Sequence, residues 1–448
     1  MKQPVKFVSL LAITTLVLTV LAGCATPTAT PTPAATEAPV VAATEAPTVA
    51  AAPTTSTAVT EVTFWADWSG DREGPIDQMV SDFNATHPNI HVTYVVVNDP
   101  VTKFLTASAS GQAPDVMIWD RNGTALYAPK GVLEPIDSYM AKDGVTADSF
   151  YAEAMREMTY GGKTYGLPMT VDARALFYNK TLLDAAGVTP PTNWDELEQD
   201  AIKLTKWNGD KLQVAGFSLS DPGLFSMYLM QAGGQMLSDD NTKTAFNSPA
   251  GLEVLNYWNK LINTDKVYQV GFESGLGEGT DAFVTGQVAM MYSGPWALNT
   301  YEKYGKDLNF RIVPAPAGPN GDKGSVMGGF GMVIPSAAKN KDAAWEFIKW
   351  WNADSTNALN FAKLSWNIPA NLKAIQDPYF QNDPFWKPIL DTLAFAKIRP
   401  TVTGYSPMEA NALVPKLQLF LQGKLSAADA LSQAQAAGDK ILAENTAQ

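Results

Sequence analysis

VTFWADWSGDREGPIDQMVSDFNATHPNIHVTYVVVNDPVTKFLTASASGQAPDVMIW, residues 62–119, is the stretch that decides the fold. Val62–Trp65 is a β-branched and aromatic run that gives way to a polar turn, Asp67–Gly74, as a strand does on leaving a sheet. Beyond the turn, Ile76, Met79, Val80 and Phe83 recur at helical spacing. His87-Pro88-Asn89 breaks the chain, and Ile90, Val92, Tyr94 and Val96 then alternate as one face of a half-buried strand. A second helix, around 100–110, leads through Gly111-Gln112-Ala113-Pro114 to a third strand, Asp115–Trp119. Strand–helix–strand–helix–strand in this span predicts an α/β lobe with a largely parallel sheet. Ligands in such lobes sit beyond the carboxyl ends of strands, which directs attention to the loops after Trp65 and Trp119. Asp67 and Trp68 occupy the first of these loops.

Outward from this stretch, the globular part of the chain is too long for one hydrophobic core, so two lobes with a ligand cleft between them are expected. Thr192 or Asn193, with Asp195 or Glu196, predicts a capped helix over 194–207. Leu252, Leu255, Trp258 and Leu261 or Ile262 share one face of a helix over 248–262, and further helices are expected at 342–352 and 426–443. Residues 238–244 read as a tight turn between short strands.

The N-terminus carries Lys2 and Lys6, then an apolar run, Phe7–Ala22. That run is shorter than the roughly 20 residues of a permanent span and reads as a signal-peptide core. Leu21-Ala22-Gly23-Cys24 resembles the lipobox of bacterial lipoproteins, which implies acylation of Cys24, the single cysteine of the 448 residues. Residues 1–23 are thus expected to be a leader. Residues 24–58, Thr-, Pro- and Ala-rich with no aromatic residue, are expected to be an unfolded tether.

One cysteine excludes an internal disulfide framework and any Cys-based metal site. A formal net charge of −13 argues against a nucleic-acid partner, which needs a basic footprint. Only His87 and His91 are present, and no zinc-protease, hydrolase-elbow, phosphate-loop or dinucleotide-binding motif occurs. Gly275–Gly279 is read as a flexible loop, and Asp239, Asp240 and Asn241 lack the rest of a calcium loop. No cofactor or metal is expected. A carboxylate pair suited to glycoside hydrolysis stays open, because an acidic chain always offers candidates.

Segments further along carry a resemblance. GQAPDVMIWDR (111–121), GVLEPID (131–137), YGLPMTVDARALFYNKTLLDAAGVTPPTNWDEL (165–197) and AFNSPAGLEVLNYW (245–258) come first. AFVTGQVAMMYSGPWAL (282–298), GGFGMVIP (328–335), AAWEFIKWW (343–351) and LQGKLSAADAL (421–431) follow in order. Together they resemble family 1 of the extracellular solute-binding proteins, which includes the maltodextrin-binding proteins of ABC importers. The resemblance implies an α/β, two-lobed periplasmic-binding-protein-like fold of type II, with discontinuous lobes, a hinge and an interlobe cleft. By that analogy one lobe holds 59–170 plus 317–365 and the other 171–316 plus 366–448. The crossings fall near Met169–Ala173, Ile312–Pro316 and Phe361–Trp366. It further implies a monomeric, lipid-anchored receptor outside the cytoplasm that delivers a mono- or oligosaccharide to membrane permease subunits and is not an enzyme. A glycerol-phosphate receptor of the same fold and a surface glycoside hydrolase are the rival readings.

A pyranose offers an apolar face for an aromatic ring and a rim of hydroxyls for paired donors and acceptors. The family pattern therefore implies Asp120 as a hydroxyl acceptor at a strand end, with Arg121 contacting sugar or orienting Asp120, and Trp119 in the cleft or in the core. Asp172 stands where the maltodextrin pattern has Glu, and it is either a ligand acceptor or the hinge partner of Arg174. Asp221 matches another acidic position, but Gly223 replaces the aromatic expected two residues later. Trp296 and Trp386 match stacking platforms. Trp366 lies near the last crossing, and Phe330 follows two glycines that permit close backbone approach. Trp65, Trp194, Trp258, Trp345, Trp350 and Trp351 read as packing residues.

Overall fold

A computed structural model describes residues 58–446. They all belong to one compact unit, Thr57–Gln448. The expectations for the leader, Cys24 and nearly all of the tether lie outside the described residues.

The opening stretch folds as its pattern demands. Strands β1 (Thr60–Ala66), β2 (Ile90–Val96) and β3 (Val116–Asp120) alternate with helices α1 (Glu73–Thr86) and α2 (Pro100–Ala109). β1 pairs in parallel with both β2 and β3. The four apolar residues at helical spacing on α1 are all buried. The chain continues through helix α3 (Ala152–Glu157) to strands β4 (Gly166–Pro168), β5 (Thr170–Ala173) and β6 (Ala175–Asn179). Helices α4 (Trp194–Leu204) and α5 (Pro249–Asn259) follow, then β7 (Met290–Ser293), helix α6 (Trp296–Tyr304) and β8 (Phe310–Val313). Strands β9 (Met327–Gly328) and β10 (Phe330–Val333) precede helices α7 (Lys341–Asn352) and α8 (Ser355–Ser365), strand β11 (Ile368–Pro369), and helices α9 (Trp386–Leu393) and α10 (Ala427–Thr446).

Three sheets organise these elements. The first has the order β2-β1-β3-β10-β4, its last two strands antiparallel. Helix α7 covers it: Phe347 and Trp351 meet Phe64 of β1 at ring separations of 5.3 and 6.0 Å, all three fully buried. Each such aromatic side chain contributes on the order of 2–3 kcal/mol of burial. The second sheet is antiparallel, β7-β6-β8. The third is a short antiparallel sheet, β9-β5-β11.

β5 lies within the expected crossing Met169–Ala173 and β11 begins two residues beyond Phe361–Trp366, whereas Ile312–Pro316 contributes no strand to that third sheet. β8 is held in the second sheet against β6. Ala317 bridges Asn193 and accepts from Trp194 N at 3.1 Å, so the chain stays with α4 beyond residue 317. The strand that reaches β5 is Met327–Gly328.

Candidate functional site

The carboxyl ends of β1 and β3 open on a common cleft of about 440 Å3, within the size range of small-molecule sites. On the first wall, Trp68 sets its indole edge-on to Phe330 at 5.0 Å and near-parallel to Phe361 at 6.2 Å, leaving 2 % exposed. The Arg72 guanidinium lies 3.9 Å over that ring. Asp120 ends β3 with its side chain 52 % exposed. Its Oδ1 accepts from the Asn122 backbone N–H at 3.1 Å and from Arg399 Nη2 at 2.7 Å.

The floor is built from β5 and β9. Asp172 pairs with Arg174 and accepts from Gly328 N at 3.2 Å. Gly329 sits at φ +130°, and a Cβ there would collide with the Thr170 carbonyl and the Arg121 guanidinium. Glycine is required at this position by both conformation and space, and it carries the chain into Phe330 at the cleft edge.

The opposite wall is the first turn of α6. Trp296 starts the helix 43 % exposed, with the Arg174 guanidinium 4.9 Å from its ring centre. Asn299 and Thr300, one turn on, also line the cleft, as do Ser365 and Asn367 beside the last crossing. Further along α6, Lys303 pairs with Asp71, and Tyr304 Oη donates to the same carboxylate at 3.2 Å.

The structure thus brings together Trp68, Asp120, Asp172, Trp296 and Phe330. Other expected residues stand elsewhere. Trp119 is buried in a second core cluster, edge-on to Phe104 and Tyr127. Arg121 is fully buried: its Nε donates to Glu157 at 3.0 Å, and its two Nη groups reach the carbonyls of Thr170, Phe330 and Gly328. It braces the floor from behind, with no face left for a ligand. Trp386 is also buried, against Phe380 and stacked with Trp366 at 6.2 Å. Trp366 is the half-buried left-handed cap of α8, so its neighbours Ser365 and Asn367 enter the cleft while its ring turns to Trp386. Asp67 is exposed but outside the cleft. Asp221 caps a short 3-10 turn through Gly223 N at 2.8 Å and borders a separate cavity of about 20 Å3.

Sequence reasoning missed Arg399, whose side chain is 20 % exposed and faces Asp120 across 279 positions of chain. Burial pulls its pKa down, but the carboxylates of Asp120, Glu157 and Glu409 outweigh that and hold it above the usual arginine value. The charged groups lining the cleft are then Asp71, Asp120 and Asp172 against Arg72, Arg174 and Arg399, three of each sign. Such a surface offers acceptors and donors side by side with no net charge. Among the described residues no group of His, Cys, Asp and Glu is placed to hold a metal ion.

Comparison with known proteins gives this geometry a context. Residues 69–358 match the family model described as bacterial extracellular solute-binding protein. The maltotriose-binding protein of Pyrococcus abyssi is 25 % identical over 72 % of this chain and 69 % of its own length. An ABC transporter solute-binding protein of Thermotoga lettingae, solved with α-D-tagatose, superposes with a TM-score of 0.77 at 26 % identity, covering 86 % of this chain and all of that one. The GacH receptor of Streptomyces glaucescens, solved unliganded and with acarbose, gives 0.77 at 27 % identity over 86 % and 99 %. The α/β architecture is therefore the two-lobed fold of solute-binding proteins.

Proposed function

Since the chain belongs to the bacterial extracellular solute-binding protein family, we propose that it is the carbohydrate-capturing subunit of an ABC importer and has no catalytic activity of its own. The observation that carries the carbohydrate assignment is the balanced cleft: three carboxylates, three guanidiniums and an open indole face. A neutral polyol suits it. Its hydroxyls donate to Asp120 and Asp172 and accept from Arg174 and Arg399, and such charge-assisted bonds are stronger than neutral ones. The apolar face of one ring packs on Trp296. A phosphate ester would meet one carboxylate for every guanidinium in the same space.

The lobes of this reading exchange chain at Thr170–Ala173, Met327–Gly328 and Ile368–Pro369. One holds the five-stranded sheet with α7 and α8; the other holds the β7-β6-β8 sheet with α6 and α9. Asp71 against Lys303 and Tyr304, and Asp120 against Arg399, are then contacts made across the cleft on closure. The protein works as a monomer, tethered outside the cytoplasm through acylated Cys24, and hands its ligand to permease subunits in the membrane.

The test is a ligand screen that follows tryptophan fluorescence and melting temperature against sugars, polyols, glycerol phosphates and peptides. A ligand of the native state at 100 times its Kd adds about 2.7 kcal/mol of stability. A sugar that moves both signals and is recovered unchanged supports the reading. Cleavage of the sugar transfers the protein to the glycoside hydrolases, and a response to glycerol phosphate alone replaces the ligand class.

A further inference from the structure

Asp221, expected in the cleft, borders instead the separate cavity of about 20 Å3 that Trp258 and Tyr292 also line. Trp258 lies on α5 and Tyr292 on β7, and they are only 2 % and 7 % exposed. Their polar atoms, Trp258 Nε1 and Tyr292 Oη, are both buried without a hydrogen-bond partner in the protein. The Gln231 amide beside Tyr292 does not supply an acceptor. It opposes the rise that burial gives the hydroxyl's pKa, which is the action of a donor, and its Oε1 already accepts from Trp194 Nε1 at 2.8 Å. The indole N–H and the phenol O–H are therefore two donors at the edge of one small space, each still in need of an acceptor.

The other polar groups of the wall differ in what they have left to give. Ser218 Oγ donates to Glu273 Oε1 at 2.5 Å and lies 3.0 Å from Ser220 Oγ, so one network engages both serines. Asp221 Oδ1 accepts from Gly223 N at 2.8 Å, and among the described residues Oδ2 has no donor. A buried donor left unmade costs its full desolvation, and two of them beside a carboxylate are more than packing explains. An apolar cavity of this size would stay dry. A polar one larger than about 10–15 Å3, with two to four partners, takes a water.

We propose that this cavity is a hydration site for a single water, whose oxygen accepts from Trp258 Nε1 and Tyr292 Oη and whose hydrogens go to Asp221. The volume excludes a larger ligand, and the two donors exclude a cation. The bridge fastens the turn at Pro222–Leu224 to α5 and to β7, the strand that runs through Gly294 and Pro295 into Trp296. It does not depend on the carbohydrate reading of the cleft.

A crystal structure of the full chain, at a resolution that orders solvent, reads the site without any substitution. One density peak within about 2.7–3.2 Å of both Trp258 Nε1 and Tyr292 Oη is expected. No peak there, or a peak that reaches only one of the two atoms, overturns the proposal. A double-mutant cycle in urea unfolding reads the bridge to Asp221. Tyr292→Phe removes one hydroxyl and is expected to lower the folding equilibrium constant about three- to tenfold. In that background Asp221→Ala is expected to lower it by a factor at least twofold smaller than it does alone, the cap on Gly223 N being lost equally in both. Equal losses in the two backgrounds overturn the bridge, because no direct hydrogen bond joins Asp221 to Tyr292 and a carboxylate that only capped its turn would be indifferent to the phenol. If Tyr292→Phe does not fold, Trp258→Phe removes the other donor and enters the same cycle, with the same two outcomes.

Discussion

Trp296→Ala tests the stacking role directly, and its size can be worked out beforehand. An indole covers up to about 250 Å2 when fully buried, and 43 % of Trp296 is still open. That leaves on the order of 100 Å2 for a ligand, worth about 2.5 kcal/mol if wholly covered at 25 cal/mol per Å2. A sugar ring covers one face, so roughly half of this, about 1.3 kcal/mol, is the expected loss, or tenfold in Kd. Folding stability should fall as well, because more than half of the residue is already covered in the folded protein, so Kd is read well below the variant's melting temperature. The Arg174 guanidinium over the ring is worth about 0.5–1 kcal/mol at an exposed site. The control is Trp386→Phe, where the indole is buried against Phe380. It should lower the melting temperature and leave Kd within twofold. Titration calorimetry with the sugar identified in the screen reads both variants. An unchanged Kd for Trp296→Ala, or a tenfold loss for Trp386→Phe, would refute the placement of the stacking face on α6.

Four further outcomes are expected. Gly329→Ala forces a Cβ into the Thr170 carbonyl at a left-handed φ; it should cost about 2 kcal/mol or more in urea unfolding and abolish sugar binding. Asp71→Asn removes the partner of Lys303 and Tyr304, a half-exposed contact worth about 0.2–1 kcal/mol. Stopped-flow release should therefore quicken about two- to fivefold in low salt and less in high salt. Burial raises the pKa of Glu273 against the hydrogen bonds from Ser218 and Tyr268. The native state then keeps a proton that the unfolded chain has lost, so this contribution is full below the usual Glu value of about 4.3 and fades as pH rises through the raised one. Glu273→Gln should flatten that part of the melting-temperature profile. Cys24→Ser should move the protein from the membrane pellet to the soluble fraction, and retention in the pellet would refute acylation there.

The sequence made the first lobe legible because its elements are governed by local rules. The four apolar positions of α1 are buried, and β1, β2 and β3 lie within two residues of their expected places. Asn193 caps α4 through Glu196 N at 2.9 Å, while Glu196 reaches back to Thr192 N at 2.7 Å, the reciprocal pattern that the residue types suggested. The end of α4 was less legible. Leu204 closes it three residues early, because Lys206–Asn208 pairs with Lys211–Val214 in a hairpin that no periodicity announces. The tryptophans divide the same way. Composition says that a ring is available, and only tertiary packing says whether it faces Leu and Phe or open space. Trp119, Trp296 and Trp386 look alike in sequence and end in a second core cluster, an exposed helix start and a buried stack. Arg399 left no signal, because its significance comes from Asp120, which only the fold brings near.

The charge balance of the cleft also bears on how such a site can be both closed and selective. Removing charges from water is expensive, and a cleft with only carboxylates would pay that cost whenever it shut without a ligand. Here each cleft carboxylate already has a cationic partner: Asp71 with Lys303, Asp120 with Arg399, Asp172 with Arg174. Closure therefore leaves none of the three carboxylates uncompensated. A polyol gains affinity only by replacing these contacts with hydrogen bonds of equal number and better geometry, which favours a ligand whose hydroxyls match the spacing and disfavours one that lacks a hydroxyl at any of them. On this argument discrimination lies in the three carboxylates and affinity in the indole, so Asp120→Asn should narrow the Kd gap between epimeric sugars, whereas Trp296→Ala should weaken them all alike. If the two substitutions shift epimers by the same factor, the division of labour between the two walls is wrong.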